Sequence, residues 1–271
     1  MPLDTLAEMH YGVELMIKYG AYTKKGIKKK VNEDRILIDD NLMEKDLCSG
    51  SRENELVSIV CDGVGSTMFG AQAAEIIAES FREFKAYEAS PNILIKHLDM
   101  VNQIIVEEEK RKDNGYSMAS TVAGIILCKD NYVAFNLGDT HIYKFVEGNL
   151  SLISYDHTVG NESNFFFCST NENKEALTRY MGGDGMACYP FFKRGKVEDN
   201  TVFFICSDGV YKHVSEQDIK SILNSDSSIY EKINRLFKLA VDGGSTDDIS
   251  IVLIDYSQKN ALNDSVNLMN N

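Results

Sequence analysis

Two apolar segments of this sequence each end at an aspartate that is followed directly by glycine. The first aspartate, Asp62, follows residues 56–61, and the second, Asp208, closes the run at residues 200–207. Apolar runs of this length predict buried strands, whose ends and following turns expose side chains. Because a folded sheet can bring distant strand ends together, the two carboxylates indicate one shared site for a hard cation.

Other acidic side chains stand where predicted strands meet turns: Glu33, Asp34, Asp139, Asp247 and Asp248. Carboxylates gathered at one place repel one another unless a cation holds them, and ligands that are all oxygen favour magnesium or manganese. Asp-Gly is also a common turn dipeptide, so each turn taken singly has an ordinary structural explanation. The pair Asp247 and Asp248 is the weakest individually, since it could simply begin a strand. The repetition of acidic turns at strand ends favours a metal site.

Composition narrows the class of protein. The chain has 271 residues, three prolines and a formal net charge of −13. No linker rich in Pro, Gly or Ser divides the acidic turns, so we expect one domain over residues 1–256 and a polar, frayed tail over residues 257–271. The negative charge argues against a nucleic-acid partner. The basic run at residues 24–30 is either a solvated turn or has a local role.

The cysteines and the longest apolar stretches predict the compartment. The six cysteines have no Cys-x-x-Cys spacing, and Cys61, Cys128 and Cys206 fall within or at the end of apolar strands, so we expect no disulfides. The N-terminus lacks the apolar core of a signal peptide, and stretches such as residues 122–128 are too short to span a bilayer. We therefore expect a cytoplasmic protein without a membrane partner.

Periodicity predicts helices and strands in blocks. Apolar residues at helical spacing follow Gly70 and Pro91, and they recur after Ser215 and from Ile229 to Gly243. Strands are expected at the following residues: 19–40, on either side of the basic run; 56–61; 121–146, with a hairpin turn at 129–131; and 202–206. A polar loop is expected at residues 41–54, and residues 159–174 have no firm assignment. Short connections between strands indicate antiparallel pairing, and the blocks predict an α+β layered domain.

The order of the motifs resembles one known family. The motifs are Asn32-Glu33-Asp34, Val60-Cys61-Asp62-Gly63, Ser120-Thr121, Asn136-Leu137-Gly138-Asp139, Asp156-His157, Leu177-Thr178-Arg179, Ser207-Asp208-Gly209 and Ser245-Thr246-Asp247. In this order they resemble the PPM family, the type 2C metal-dependent protein serine/threonine phosphatases, and in particular its bacterial single-domain members. The resemblance implies a four-layer α-β-β-α sandwich with two central, mainly antiparallel sheets and a metal site at one end of them.

The resemblance also implies which residues bind Mn²⁺ or Mg²⁺. Asp62 is similar to the carboxylate that bridges two ions, and the carbonyl of Gly63 to the group that completes one of them. Asp208 and Asp247 resemble ligands of the other ion. Some family members bind a third, weaker ion. Asp139 resembles the acid that shares this ion with the residue at the position of Asp208.

Further positions are similar to groups that act on the reaction. Glu33 resembles the acid that engages the metal cluster through water, with Asp34 as its close support. The implied chemistry is hydrolysis of phosphoserine and phosphothreonine in proteins by a water activated between two ions, without a covalent phosphoenzyme. A cysteine-phosphatase spacing at residues 188–194 has no glycine and contains a proline that removes a backbone donor, so we interpret it as a chance match.

Four positions depart from the family pattern. Lys29 stands where an arginine usually binds the substrate phosphate, and lysine keeps the charge without the bidentate fork. Val64 replaces a histidine proposed as general acid in eukaryotic members, which bacterial relatives also lack. Asp248 replaces an asparagine, and His141 replaces a common arginine. These departures bear on efficiency more than on metal binding.

Two features beside the implied site have structural interpretations. We expect His157 to make a structural hydrogen bond, with a direct catalytic role as the alternative. Residues 159–178 correspond to the flap of the family, and we expect residues 165–167 to cover the sheet, with substrate contact as the alternative.

The sequence therefore predicts a phosphatase that acts on phosphorylated proteins, with a cognate serine/threonine kinase as the implied partner. One alternative is a catalytically weak or inactive pseudophosphatase that binds metal or phosphoprotein as a regulatory module, for which Lys29 and Asp248 are the sequence support. A second alternative is a structural domain whose acidic turns are coincidental.

Overall fold

The computed structural model describes residues 14–112, 117–162, 173–183 and 189–259. Within these residues the strands are β1 (Glu14–Lys24), β2 (Arg35–Ile38), β3 (Asn41–Met43), β4 (Asp46–Glu53), β5 (Glu55–Cys61), β6 (Ala119–Ser120), β7 (Val122–Cys128), β8 (Asn131–Leu137), β9 (His141–Val146), β10 (Asn149–Leu152), β11 (Met181–Gly182), β12 (Phe191–Lys196), β13 (Thr201–Cys206) and β14 (Ile249–Lys259). The α-helices are α1 (Gly70–Ser80), α2 (Pro91–Arg111), α3 (Val159–Glu162), α4 (Asp208–Tyr211), α5 (Glu216–Leu223) and α6 (Ile229–Asp242).

Two large antiparallel sheets form the centre of the domain. The first has the strand order β10-β9-β13-β14-β1-β4, and the second has the order β12-β8-β7-β5-β2-β3. The central strands β5, β7 and β13 are buried almost throughout, which explains why they read as continuous apolar runs instead of alternating patterns. The strands β6 and β11 form a separate small ribbon.

Three apolar clusters lie between the layers and pack them together. One lies between the two sheets and includes Ile36, Ile125, Phe203 and Ile254. The second packs α1 and α2 on the outer face of the second sheet, and the third packs α5 and α6 on the outer face of the first. This order of layers confirms the α-β-β-α sandwich that the motifs imply.

The helices begin where the sequence provides caps. The Ser90 side chain accepts a hydrogen bond from the Ile93 amide at 3.4 Å, and Pro91 occupies the first turn of α2. At α6, Ser228 and Glu231 form a reciprocal capping box, which satisfies amides that the helix itself leaves unpaired. No helix among the described residues is long and apolar enough to cross a bilayer.

Some expectations differ from the structure. Residues 41–54 contain the strands β3 and β4 instead of forming a polar loop. Both strands lie at the edge of a sheet and β4 exposes side chains on both faces, so they lack the apolar pattern of a buried strand. The last strand extends to Lys259 by pairing with β1, so the expected tail begins inside a strand, and residues 260–271 lie outside the described part. Residues 191–194 belong to β12 and form no phosphate loop, while position 188 is not described. The described cysteines, Cys48, Cys61, Cys128 and Cys206, are free.

Candidate metal centre

A cleft of about 250 Å³ lies at the end of the two sheets where β5, β8 and β13 finish and β14 begins. The predicted metal-binding residues Asp62, Gly63, Asp139, Asp208 and Asp247 all line it. The fold therefore gathers carboxylates that are up to 185 positions apart in the chain, as 247 − 62 shows. Such a density of negative charge is unfavourable without a counter-cation.

The main chain of Asp62 is held by Ser120 and Thr121, where β6 leads into β7. Its amide donates to the Thr121 hydroxyl at 3.1 Å, and its carbonyl accepts the Thr121 amide at 2.8 Å and the Ser120 hydroxyl at 3.0 Å. Desolvation raises the pKa of the Asp62 carboxyl well above its usual range, and the charges of Asp34 and Asp208 raise it further. The Ser120-Thr121 motif thus holds the main chain at the acid.

Asp208 lies in a different electrostatic environment. As the first residue of α4, it accepts a hydrogen bond from the Lys212 ammonium at 2.9 Å, one helical turn later. The same ammonium lies 3.2 Å from the carboxylate of Glu175, which also lines the cleft. Lys212 and Glu175 were not identified from the sequence, although the spacing of Asp208 and Lys212 is that of a helical ion pair.

Lys29, the predicted phosphate-binding residue, also reaches the cleft. Its ammonium lies 2.8 Å from Glu33 and 3.0 Å from Asp247. Burial lowers the pKa of Lys29, but hydrogen bonds to these two carboxylates outweigh burial and hold the pKa above its usual range. Lys29 is therefore a charged group between two of the predicted site acids.

Asp248 ties two distant segments together. One of its carboxylate oxygens accepts the Gly26 amide and the other accepts the Glu33 amide, both at 2.8 Å. An asparagine offers only one acceptor oxygen in its side chain, so the aspartate at this position has a structural explanation. The departure at Asp248 fixes the segment that presents Lys29 and Glu33.

Asp34 lies fully buried beneath the cleft, and neither of its carboxylate oxygens has a hydrogen-bond partner. Burial and the charge of Asp248 raise the pKa of Asp34 to about 7. The hydroxyls of Ser207 and Ser250 lie near enough to moderate this rise, but neither makes a hydrogen bond of good geometry to the carboxylate. Its unsatisfied oxygens lie next to the predicted metal-binding acids.

Asp139 is held by Tyr211, which was not identified from the sequence. The Tyr211 hydroxyl donates to Asp139 at 3.3 Å, and the Tyr211 ring stacks on His141 with centroids 3.6 Å apart. His141 in turn contacts Asp156 at 3.0 Å and the Tyr143 hydroxyl at 3.0 Å. Burial, followed by the charge of Asp208, raises the pKa of Asp139 to about 6. His141, which departs from the family pattern, thus packs against the tyrosine that orients Asp139.

His157 makes a structural contact behind the cleft. Its Nδ1 lies 3.2 Å from both the amide nitrogen and the carbonyl oxygen of Gly138, and its side chain is buried. Desolvation lowers the pKa of His157, so the neutral ring is favoured. Next to it, Arg179 pairs with buried Glu162 at 2.6 Å at the base of the flap. Residues 165–167 of the flap lie outside the described residues.

The donor set fits a hard cation by its chemistry. It consists of carboxylate oxygens and a glycine carbonyl, and two lysine ammonium groups already lie among the acids as positive charges. In the described part of the chain, no three or more Asp, Glu, His or Cys side chains lie close enough together to hold a metal ion as they stand. Magnesium and manganese retain several waters and need only one or two carboxylates each, so an open arrangement is compatible with them.

Comparison with known proteins places the chain in a family. The model of the protein phosphatase 2C family matches residues 35–239. The chain is 27% identical over 224 residues to the serine/threonine phosphatase stp of Listeria welshimeri, which covers 76% of this chain and 86% of that protein. It is 25% identical to the serine/threonine phosphatase stp of Listeria monocytogenes over 228 residues, 77% of this chain and 88% of the relative.

Solved structures agree on the fold. The catalytic domain of the phosphatase PstP, described in complex with two manganese ions, superposes with a TM-score of 0.72 at 22% identity, over 90% of this chain and all of that one. Stp1 from Staphylococcus aureus gives a TM-score of 0.72 at 21% identity, over 88% of this chain and 94% of that one. The chain belongs to the protein phosphatase 2C family, which confirms the resemblance drawn from the motifs and the enzyme class of protein serine/threonine phosphatase.

Proposed function

We propose that the chain hydrolyses phosphoserine and phosphothreonine in cytoplasmic proteins, with two Mn²⁺ or Mg²⁺ ions as cofactors. The observation that carries this proposal is the convergence of Asp62, Asp139, Asp208 and Asp247 in one cleft together with the cation Lys29. Family membership supports the reaction class, and the neighbouring PstP structure with manganese supports the choice of metal.

Asp62 and the Gly63 carbonyl would hold one ion, and Asp62, Asp208 and Asp247 would hold the other. Glu33 would act through water, and Asp139 would contribute to a third ion if one binds. When bound, the ions would supply a lowered pKa for water at the cleft and would offset negative charge on the phosphoryl oxygens.

The remaining steps belong to other side chains of the cleft. Lys29 binds the substrate phosphate as a point charge, since it lines the cleft and lysine has no bidentate fork. Asp34 supports Glu33 from beneath. Val64 lines the cleft and has no proton to give, so water or another group protonates the leaving oxygen.

The test is manganese-dependent phosphate release from a phosphothreonine peptide. The wild-type chain is compared with Asp62→Asn, with a chelator, and with Asp226→Asn, which makes the same chemical change in an exposed loop between α5 and α6. Release that needs both manganese and Asp62 and is unaffected at Asp226 supports the proposal. Equal release from Asp62→Asn contradicts the assigned site.

A second function is favoured by the lysine contacts. Lys29 and Lys212 each lie within ion-pair distance of two carboxylates at the cleft, where they compete with a bound metal for Asp247 and Asp208. The chain would then be a catalytically weak or inactive module that binds metal or phosphoprotein. Calorimetry that detects manganese binding, without phosphate release from any phosphopeptide, distinguishes this function from the first.

The partners follow from the proposed reaction. A phosphorylated protein is the substrate, and a cognate serine/threonine kinase supplies it. Pull-down of a kinase substrate by the Asp62→Asn variant, in its phosphorylated form only, would support this partnership.

A further inference from the structure

A lysine loop, defined here as residues 24–31, stands at the rim of the cleft. It contains Lys24, Lys25, Lys28, Lys29 and Lys30, while the whole chain has a formal net charge of −13. The loop connects the end of β1 to the acidic turn before β2. This is a local concentration of positive charge directly beside a concentration of negative charge.

Hydrogen bonds from two main-chain amides of the loop hold it against the segment before β14. The Asp248 carboxylate accepts the Gly26 amide, and the Thr246 carbonyl accepts the Lys28 amide at 3.4 Å. A side-chain atom at Gly26 would lie 2.5 Å from the main chain of Asp247, so the loop packs directly on the segment before β14. A surface that is fixed before binding loses less conformational entropy when a partner docks.

Three of the lysines are engaged within the protein. The Lys24 ammonium lies 5.0 Å from the centre of the Phe237 ring, and Lys25 donates to the carbonyls of Gly26 at 3.1 Å and Lys29 at 2.6 Å. The Lys29 ammonium pairs with acids of the cleft. These contacts explain part of the basic run as structural.

The other two lysines have no such explanation. Lys28 and Lys30 are exposed, and within the described residues neither ammonium has an ion pair or a side-chain hydrogen bond. They flank the cleft residue Lys29 in sequence, at about 3.8 Å between successive Cα atoms. Ile27 and Val31, beside them, are 80% and 57% exposed. The outer face of the loop therefore combines free positive charge with exposed apolar surface.

We propose that the lysine loop is a docking surface for acidic residues that flank the phosphorylated serine or threonine of a protein substrate. This inference rests on the proposed function and specifies its substrate class. A peptide whose phosphate enters the cleft at Lys29 extends its neighbouring residues past Lys28 and Lys30. A short acidic segment needs only this local complementarity, whereas an anionic membrane or a nucleic acid also faces repulsion from the net charge and from the cleft.

The experiment compares two phosphothreonine peptides of equal length, one with Glu and Asp beside the phosphothreonine and one with Gln and Asn at the same positions. The variant is Lys28→Gln with Lys30→Gln. Its matched control is Lys96→Gln with Lys110→Gln, which removes the same charge from exposed positions of α2. The ratio of kcat/KM for the two peptides is measured with manganese, and peptide binding is measured separately by fluorescence anisotropy.

We expect the wild type to prefer the acidic peptide, and the loop variant to lower the ratio about 3- to 10-fold, as expected for the loss of two exposed ion pairs. The control is expected to keep the wild-type ratio, and added salt is expected to reduce the preference. Hydrolysis of the neutral peptide reports on the catalytic site, so a loss on both peptides contradicts docking at the loop.

Failure of the proposed reaction gives a different result. If neither peptide is hydrolysed but the acidic one binds the wild type more tightly than the loop variant, the docking surface stands and the proposed reaction does not. Equal binding to both proteins overturns the docking proposal. Sedimentation with vesicles containing phosphatidylserine overturns it in favour of a membrane contact, if the wild type binds them and the loop variant does not while peptide preference is absent.

Discussion

Asp62-Gly63 and Asp208-Gly209 are the same dipeptide at the ends of two buried strands, yet the chain continues differently after each. After Gly63 it continues through a loop to α1 at Gly70, whereas α4 begins at Asp208 itself. The Asp62 carboxyl is surrounded by other carboxylates, while Asp208 has the Lys212 ammonium at 2.9 Å. One dipeptide thus supports two backbone paths and two electrostatic environments.

The two glycines share a requirement that is independent of turn geometry. Neither adopts a positive φ. A Cβ at Gly63 would lie 2.5 Å from the carbonyl carbon of Gly70 and 2.8 Å from the Glu33 carbonyl oxygen, and a Cβ at Gly209 would lie 2.0 Å from the Asp248 carbonyl oxygen. Each glycine is therefore needed because another segment of the site passes against it.

These contacts connect the two strand ends. Gly63 packs on Glu33, Gly209 packs on Asp248, and the Asp248 carboxylate accepts the Glu33 amide. The glycine of each pair thus packs against a segment that carries another acid, while the aspartate lines the cleft. Asp62 and Asp208 differ in their electrostatic environment, but the main-chain segments that carry them are connected through these contacts.

The largest effect is expected for activity when a cleft acid is removed. Asp208→Ala is predicted to lower manganese-dependent phosphate release by more than about 100-fold, because a carboxylate proposed to bind metal is lost. Manganese-induced thermal stabilisation should fall with it, which is measured by calorimetry at several metal concentrations. Full activity in this variant would show that Asp208 differs from Asp62 in function as well as in environment.

Much of the arrangement at the two strand ends could be predicted from the sequence. The continuous apolar runs of β5 and β13 predict buried strands, and the acids that follow them predict a shared site. The edge strand β4 could not be predicted, because its exposed faces lack any alternation of apolar and polar residues. Apolar patterning reports burial, and β4 is stabilised by pairing with β1 instead.

Contacts between residues that are far apart in the chain could not be predicted from the sequence either. Glu175 meets Lys212 across 37 positions, and Asp248 meets Gly26 across 222. The identity of each residue was visible, but only the folded sheets determine which partner it reaches. The departure at Asp248 could be noticed, whereas its two backbone hydrogen bonds could not.

The glycine contacts predict a loss of stability at both strand ends. Gly63→Ala and Gly209→Ala should each lower the free energy of unfolding by about 1–3 kcal/mol, because the added Cβ collides with main-chain atoms. Denaturant unfolding measures the loss. Gly65→Ala is the control, since its nearest neighbour is the flexible ammonium of Lys29 at 3.0 Å. A control variant as unstable as the other two would remove the proposed reason for glycine.

The link between the strand ends is tested at Asp248. Asp248→Asn should lower the free energy of unfolding by about 1–2 kcal/mol, because one of the amides of Gly26 and Glu33 loses its acceptor. Hydrogen exchange at these two amides should quicken, while exchange elsewhere follows global stability. Asp226→Asn, in an exposed loop, provides the matched change of charge. Unchanged protection at both amides would contradict the link.

The smallest effect concerns charge in the absence of metal. In a chelator, Asp62→Asn should raise the midpoint of thermal unfolding, because it removes a desolvated charge that other carboxylates repel. Asp208→Asn should raise it less, since relief of the repulsion from Asp62 and Asp139 is offset by loss of a partly exposed ion pair with Lys212 that contributes less than about 1 kcal/mol. The two midpoints should therefore separate by a few degrees, about 2–4 °C for each kcal/mol in a domain of this size. A shift of both variants in the same direction by the same amount would show that the two strand ends share one electrostatic environment, and the contrast between them would then be confined to the path of the backbone.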